Sequence, residues 1–248
     1  MDQVRLSVSG ARADLTLARP GRHNAITPTM LAEVAEACGR VAEAGCDVVV
    51  LWGEGSDFSV GYDLDAFEGD GAADGARLGG EAVDALLDLE AVTVAAVQGW
   101  VVGGGAALAA ACDLRVGEPG TTLRIPEVPL GIPLGWGAVP MLVADLGPSI
   151  TRDLVMTGRD LDANEALARG FLARLASDGA LEAEVEALVG QLLATAPGPL
   201  RSTKQQVAAA ADIARTGPED AARLRAAVAD PSFRNVFERY VERVRGPR

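Results

Sequence analysis

The spacing of apolar and polar residues changes several times along the chain, and each change marks an element. Val4, Leu6 and Val8 alternate with their neighbours, a turn follows near Gly10, and Leu15 and Leu17 resume the alternation, which predicts a hairpin. After Pro20 and Gly21 the stretch RHNAITPTM is irregular until Thr27-Pro28, a pair suited to cap a helix and fill its first position. The helix that follows places Leu31, Val34, Cys38 and Val41 on one face. DVVVLWG and VTVAAVQG are short unbroken apolar runs, the pattern of buried strands. Between them, FSVGYDLDAF reads as a strand passing through a loop into a helix, with Asp63 or Asp65 as its cap.

Three glycines, Gly103 to Gly105, then precede an alanine-rich helix. Strands are expected around Leu114 to Val116 and over TLRI, followed by the proline- and glycine-rich PEVPLGIPLGWG and helices at 138–146, 163–169 and 181–194. From about Pro197 no strand pattern is left. Strands interspersed with helices and then a helical tail indicate an α/β core over 1–196 and a helical region over 197–248.

Composition narrows the function classes. The 248 residues are 49% hydrophobic and 23% charged, enough for a substantial core and unlike a disordered chain. A net charge of −13 with one lysine, Lys204, speaks against nucleic acid and anionic membranes as partners. Arg223, Arg225, Arg234, Arg239, Arg243, Arg245 and Arg248 form a local enrichment that either holds phosphates or balances acidic neighbours. Three cysteines without ligand spacing suggest neither a disulfide scaffold nor zinc, and a single histidine rules out a histidine-rich metal site. The first ten residues have no basic-then-apolar pattern, so a cytoplasmic protein is expected.

Candidate chemistry lies in four places. The first amides of a helix lack intrahelical acceptors and favour negative charge, so glycines there form either an anion cradle or simply a tight strand-to-helix joint. The run is not the dinucleotide fingerprint and no P-loop lysine follows it. Gly61 before Tyr62 frees a second backbone amide, and two such amides converging would stabilise an oxyanion. Glu127, between prolines and apolar residues, reads either as a partly desolvated base or as a solvated loop glutamate. His23 reads as a loop or substrate-edge residue rather than part of a catalytic triad.

Four segments, LTLARPGRHNAITPTM, DFSVGYDLDAF, AAVQGWVVGGGAALAAACDLRV and LRIPEVPLGIPLGWGAVPMLVADLG, together resemble the enoyl-CoA hydratase/isomerase, or crotonase, superfamily in letters, order and spacing. ALARGFLARL and PLRSTKQ extend the resemblance through most of the chain. It implies the ClpP/crotonase fold, a spiral of β-β-α repeats with a C-terminal helical region that packs in trimers or hexamers. It also implies an acyl-CoA thioester as substrate, with CoA entering as part of that substrate and no separate cofactor. Matched motif by motif, the oxyanion amides would be those of Tyr62 and Gly104 and the acid–base group Glu127. Arg22, His23, Asn24 and Ala25 would line the CoA nucleotide side, with Lys204 and the terminal arginines as looser candidates for its phosphates.

One departure bears on the mechanism. Family hydratases carry a second glutamate shortly after the glycine run, where this chain has Ala107, and no carboxylate occurs from Val128 through Ala144. One base suffices for a Δ3-Δ2 enoyl-CoA isomerisation, which is the expected reaction. A hydratase or other lyase with a compensating group, and a non-catalytic acyl-CoA-binding protein, are the alternatives. The ring of Tyr62 either lines the acyl pocket or points elsewhere, and Trp136 either caps that pocket or packs between helices.

Overall fold

The computed structural model describes residues 3–67, 71–211 and 218–245. The expected hairpin is present: β1 (Val4–Ser9) pairs antiparallel with β2 (Arg12–Leu17), Val4 opposite Leu17. Thr27 caps α1 (Pro28–Ala44), its hydroxyl accepting the Met30 N–H at 3.1 Å, and Leu31, Val34, Cys38 and Val41 are all buried.

The unbroken apolar runs become β3 (Val48–Gly53) and β4 (Val92–Val97), paired in parallel. They lack polar alternation because each of their faces meets a core. Val49, Leu51 and Ala95 face the larger cluster, which includes the buried side of α1. Val48, Val50 and Val94 pack against Leu181, Val185 and Leu188 of α6 (Leu181–Leu193) on the other side.

The spiral is visible in the order of elements. β4, β5 (Trp100–Val102) and α3 (Gly104–Ala110) make one β-β-α turn, and β6 (Leu114–Gly117), β7 (Thr122–Arg124) and α4 (Ala138–Thr157) make the next. The first strand of each turn joins a six-stranded sheet, β1-β2-β3-β4-β6-β9, and the second joins a three-stranded sheet, β5-β7-β8. These sheets are completed by β8 (Asp160–Asp162) and β9 (Arg174–Leu175), and α5 (Ala163–Arg169) lies between the two strands. The turn before them runs from β3 through residues 58–60 to α2 (Gly71–Asp88), and stacks on β5 through a parallel Ser59–Val101 bridge.

Several expectations change in detail. The strand read in FSVGYDLDAF shrinks to two isolated bridges, Ser59–Val101 and Ile26–Tyr62, and Asp63 starts a single helical turn over Leu64–Phe67 by accepting the Asp65 N–H. The helix expected to stop at 146 resumes beyond a kink at Gly147 (φ 74) and Pro148, because Thr151 and Leu154 go on burying the same face. β5, β8 and β9 span two or three residues each, too few to show a period.

The tail is helical as read, with α7 (Pro197–Ala211), α8 (Pro218–Ala229) and α9 (Phe233–Arg245). It does not stand apart from the core. α8 packs on α2, and the rings of Phe233 and Phe237 lie 6.4 and 5.5 Å from that of Phe67. Among the described residues no helix is long and apolar enough to cross a membrane.

Asn24, fully buried at φ 53, ties the loops that frame the spiral. Its side-chain oxygen accepts the Arg19 N–H at 2.9 Å, and its amide donates to the carbonyls of Glu54 and Asp57, both at 2.8 Å. Asn24→Ala leaves all three partners without their bond, and the expected loss of stability is about 3 kcal/mol, read as a lowered urea midpoint at unchanged slope.

Candidate active site

The site forms where two turns of the spiral meet. Ile26 donates its N–H to the Gly61 carbonyl and Asp63 donates to the Ile26 carbonyl, both at 2.8 Å. Amides alternate sides along an extended chain, so the N–H of Tyr62 faces away from Ile26. Gly61 has φ 87, and a Cβ there would stand 2.9 Å from the Val102 carbonyl oxygen and 3.7 Å from the Gly104 nitrogen. The segments carrying Tyr62 and Gly104 therefore touch, and both residues line one cavity.

Gly104 is the first residue of α3. Gly103 before it has φ 50, and its carbonyl accepts the first intrahelical bond, from Ala107 at 3.0 Å. The amides of Gly104 to Ala106 have no acceptor within the helix, and the positive end of its dipole lies there. The joint is tight, because a Cβ on Gly104 would strike the Trp136 ring, and the Gly104 amide precedes the first helical bond.

Glu127 sits on the turn after β7, which is held by Leu130 N–H donating to Pro126 O at 2.9 Å and Ile132 N–H donating to Glu127 O at 3.0 Å. Its carboxylate lies so close to Gly103 that a Cβ there would force the glutamate side chain to move. The residue as a whole is half-buried, but its Oε2 is buried and has no hydrogen-bond partner among the described residues. Burial pushes the carboxyl up to about 7, opposed in part by its own backbone amide. It is a desolvated group and not a solvated loop glutamate.

The cavity has a volume of about 60 Å³. Ala107 lines it, so a methyl group faces the cavity at the position where the resemblance implies a second glutamate in hydratases. The Tyr62 ring is part of the wall, edge-on to Phe67 at 5.7 Å and to Trp136 at 6.2 Å. Trp136, at φ 58, does both things expected of it as alternatives, covering Gly104 and lining the cavity. Asp220 and Leu224 of α8 complete the lining. Sequence reasoning missed Asp220, because an acidic residue in the first turn of a helix already has an ordinary explanation in the helix dipole.

The residues assigned to the CoA side divide. Arg22 and His23 are exposed; Arg22 pairs with Asp65 at 2.7 Å and Asp63 at 3.2 Å, and His23 Nδ1 lies 2.8 Å from Asp57 Oδ2. Ser56 donates to that same carboxylate oxygen at 2.7 Å, so the three do not form a nucleophilic triad. Asn24 spends its side chain on the loops, and Ala25 donates to the Arg22 carbonyl while its own carbonyl accepts from Arg19. Lys204 is elsewhere, its ammonium 2.8 Å from both Asp113 Oδ2 and the Ala91 carbonyl, and is not in the cavity lining. Of the terminal arginines, Arg223 pairs with Asp220 and Arg243 stacks on Tyr240. Arg248 and the side chain of Arg245 lie outside the described residues.

The Glu127 environment predicts a pH signature. Its folded pKa, about 7, lies above the ordinary 4.5, so between these values the unfolded chain binds fewer protons and stability falls as pH rises. The unfolding free energy of the wild type relative to Glu127→Gln is expected to drop by about 3 kcal/mol from pH 4.5 to 7 and then level off. Denaturant titrations across that range check it, and a difference independent of pH contradicts the buried carboxyl.

Comparison with known proteins places this geometry. The family model for enoyl-CoA hydratase/isomerase matches residues 9–246. A carnitinyl-CoA dehydratase of Citrobacter koseri is 34% identical over 208 residues, 82% of this chain and 79% of that protein. A short-chain-enoyl-CoA hydratase of Clostridium acetobutylicum is 28% identical over 212 residues, 84% and 81% of the two chains. Among solved structures, a Thermobifida fusca YX protein in complex with acetoacetyl-CoA superposes with a TM-score of 0.78 at 31% identity, covering 98% of this chain and 96% of that one. With the crotonase fold, the spiral and the motifs in register, the chain belongs to the enoyl-CoA hydratase/isomerase family.

Proposed function

We propose that this protein is an enoyl-CoA isomerase-like enzyme in which one carboxylate moves a proton along an acyl-CoA thioester. The observation that carries the reading is Glu127, buried beside Gly103 with a pKa near neutrality, in a cavity where Ala107 takes the place of a second glutamate. Glu127 removes a proton from C2 of a 3-enoyl thioester. The electron pair shifts into the thioester, giving a dienolate whose oxygen is held by the N–H groups of Tyr62 and Gly104. The same carboxyl returns the proton to C4, leaving the double bond between C2 and C3. A group with a pKa near the working pH suits both halves of this transfer.

A second reading is addition of water to a 2-enoyl thioester. The relatives' names favour it, and so does Asp220, a carboxylate in the cavity from outside the family motifs. The exposed Arg22 and His23 supply a polar rim for the CoA nucleotide. Exposed Trp100, Val207 and Val244 are consistent with assembly into a trimer or hexamer, which a solution mass measurement tests.

Incubation with 3-enoyl-CoA and 2-enoyl-CoA in parallel separates the readings. Isomerisation of the first is expected to outrun hydration of the second, and the reverse order overturns the one-base assignment. Glu127→Gln is expected to lower turnover by roughly 10³-fold while a saturated acyl-CoA still binds. Turnover equal to the wild type removes Glu127 from the mechanism, and thioester binding with no turnover in the wild type identifies a binding protein.

A further inference from the structure

We infer that Asp220 is a substrate-contacting residue of this cavity and that it recognises an O–H group at the acyl end of the thioester. The inference rests on the reading that the acyl group occupies the cavity. Two carboxylates line this space, and they come from different parts of the chain: Glu127 from the turn after β7 and Asp220 from the first turn of α8. Helix capping does not account for the placement of Asp220. Its Oδ2 accepts the N–H of Gly137, a residue of another element, at 3.0 Å, while Oδ1 pairs with Arg223 one turn along its own helix at 3.3 Å.

These two bonds fix the carboxylate to the segment that carries Trp136, so its direction is set before any ligand arrives. Each carboxylate oxygen has a second lone pair. Around it the wall is largely hydrocarbon, including Phe67, Leu134 and Leu224. A carboxylate facing a saturated acyl tail would lose hydration without replacement, whereas an O–H would restore a hydrogen bond. The O–H has two possible carriers, a hydroxyl substituent on the acyl chain or a water molecule positioned beside it.

The test starts from Glu127→Gln, which blocks proton transfer and allows binding to be measured. Calorimetry compares butanoyl-CoA with 3-hydroxybutanoyl-CoA and 4-hydroxybutanoyl-CoA. With a substituent hydroxyl as the group recognised, one hydroxylated ligand binds about tenfold tighter than butanoyl-CoA. Adding Asp220→Asn shrinks that preference several-fold, since the neutral amide makes the weaker bond. Adding Asp220→Leu reverses it. The Asn variant retains an oxygen for the Gly137 N–H and keeps the question decidable if the Leu variant fails to fold.

With water as the group recognised, the three ligands bind alike. The ratio of water addition on 2-butenoyl-CoA to isomerisation of 3-butenoyl-CoA, measured with Glu127 intact, then falls about tenfold or more in the Asp220 variants. If neither the affinity ratio nor the rate ratio responds to Asp220, the inference is wrong. Failure of the underlying reading shows separately, as no binding of butanoyl-CoA by the Glu127→Gln protein, and that result overturns both.

Discussion

Two hydrogen bonds between successive turns of the spiral hold the segments carrying Tyr62 and Gly104 against each other. Ser59 donates its N–H to the Trp100 carbonyl at 3.0 Å, and Val102 donates to the Ser59 carbonyl at 2.9 Å. They hold residues 59–62 parallel to β5, and because each turn then ends in a helix, the chain after Val102 must start α3 beside Gly61. A one-residue slip would turn each side chain to the opposite face and carry Tyr62 away from Gly104. The polar groups around this seam serve the same registration. Ser59 Oγ donates to the Asn24 carbonyl at 2.8 Å, and Asp57 accepts the Trp100 N–H at 2.8 Å.

The second constraint is electrostatic. The Glu127 carboxylate lies between Gly103 and the wall of the cavity, and its pKa is raised because the charged form loses hydration that its own backbone amide replaces only in part. In the proposed reaction the amides at Tyr62 and at the start of α3 are the groups that would hold the enolate oxygen while Glu127 carries the proton. Asp220 has a different environment, bonded to Gly137 and paired with Arg223, and it enters only because α8 folds back over α2. The region expected to mediate oligomerisation thus lines the cavity of its own chain.

Much of the scaffold could be read from local patterns. The alternation of Val4, Leu6 and Val8, the Thr27-Pro28 start and the apolar face of α1 depend on neighbours within a few residues, and the structure matches them. The glycine run, Gly61-Tyr62 and Glu127 were legible as candidates because their types and flanking residues restrict what they can do. β5 and β8 were not, since they owe their extended form to partners far along the chain. The kinked continuation of α4 was missed for a related reason: Gly147-Pro148 reads as a stop, while the burial of Thr151 and Leu154 that restarts the helix is a tertiary fact.

Letters alone were enough for the α/β class and the short list of reactive groups, since each follows from residue type and near spacing, while the missing carboxylate at Ala107 was legible only through the resemblance to the family. Packing decided the rest: that Glu127 Oε2 is shielded from water, that Trp136 rests on Gly104, that Lys204 is tied to Asp113, and that Asp220 shares a cavity with a residue 93 positions earlier. Burial and convergence are sums over segments distant in the chain, and no local pattern encodes how those segments meet.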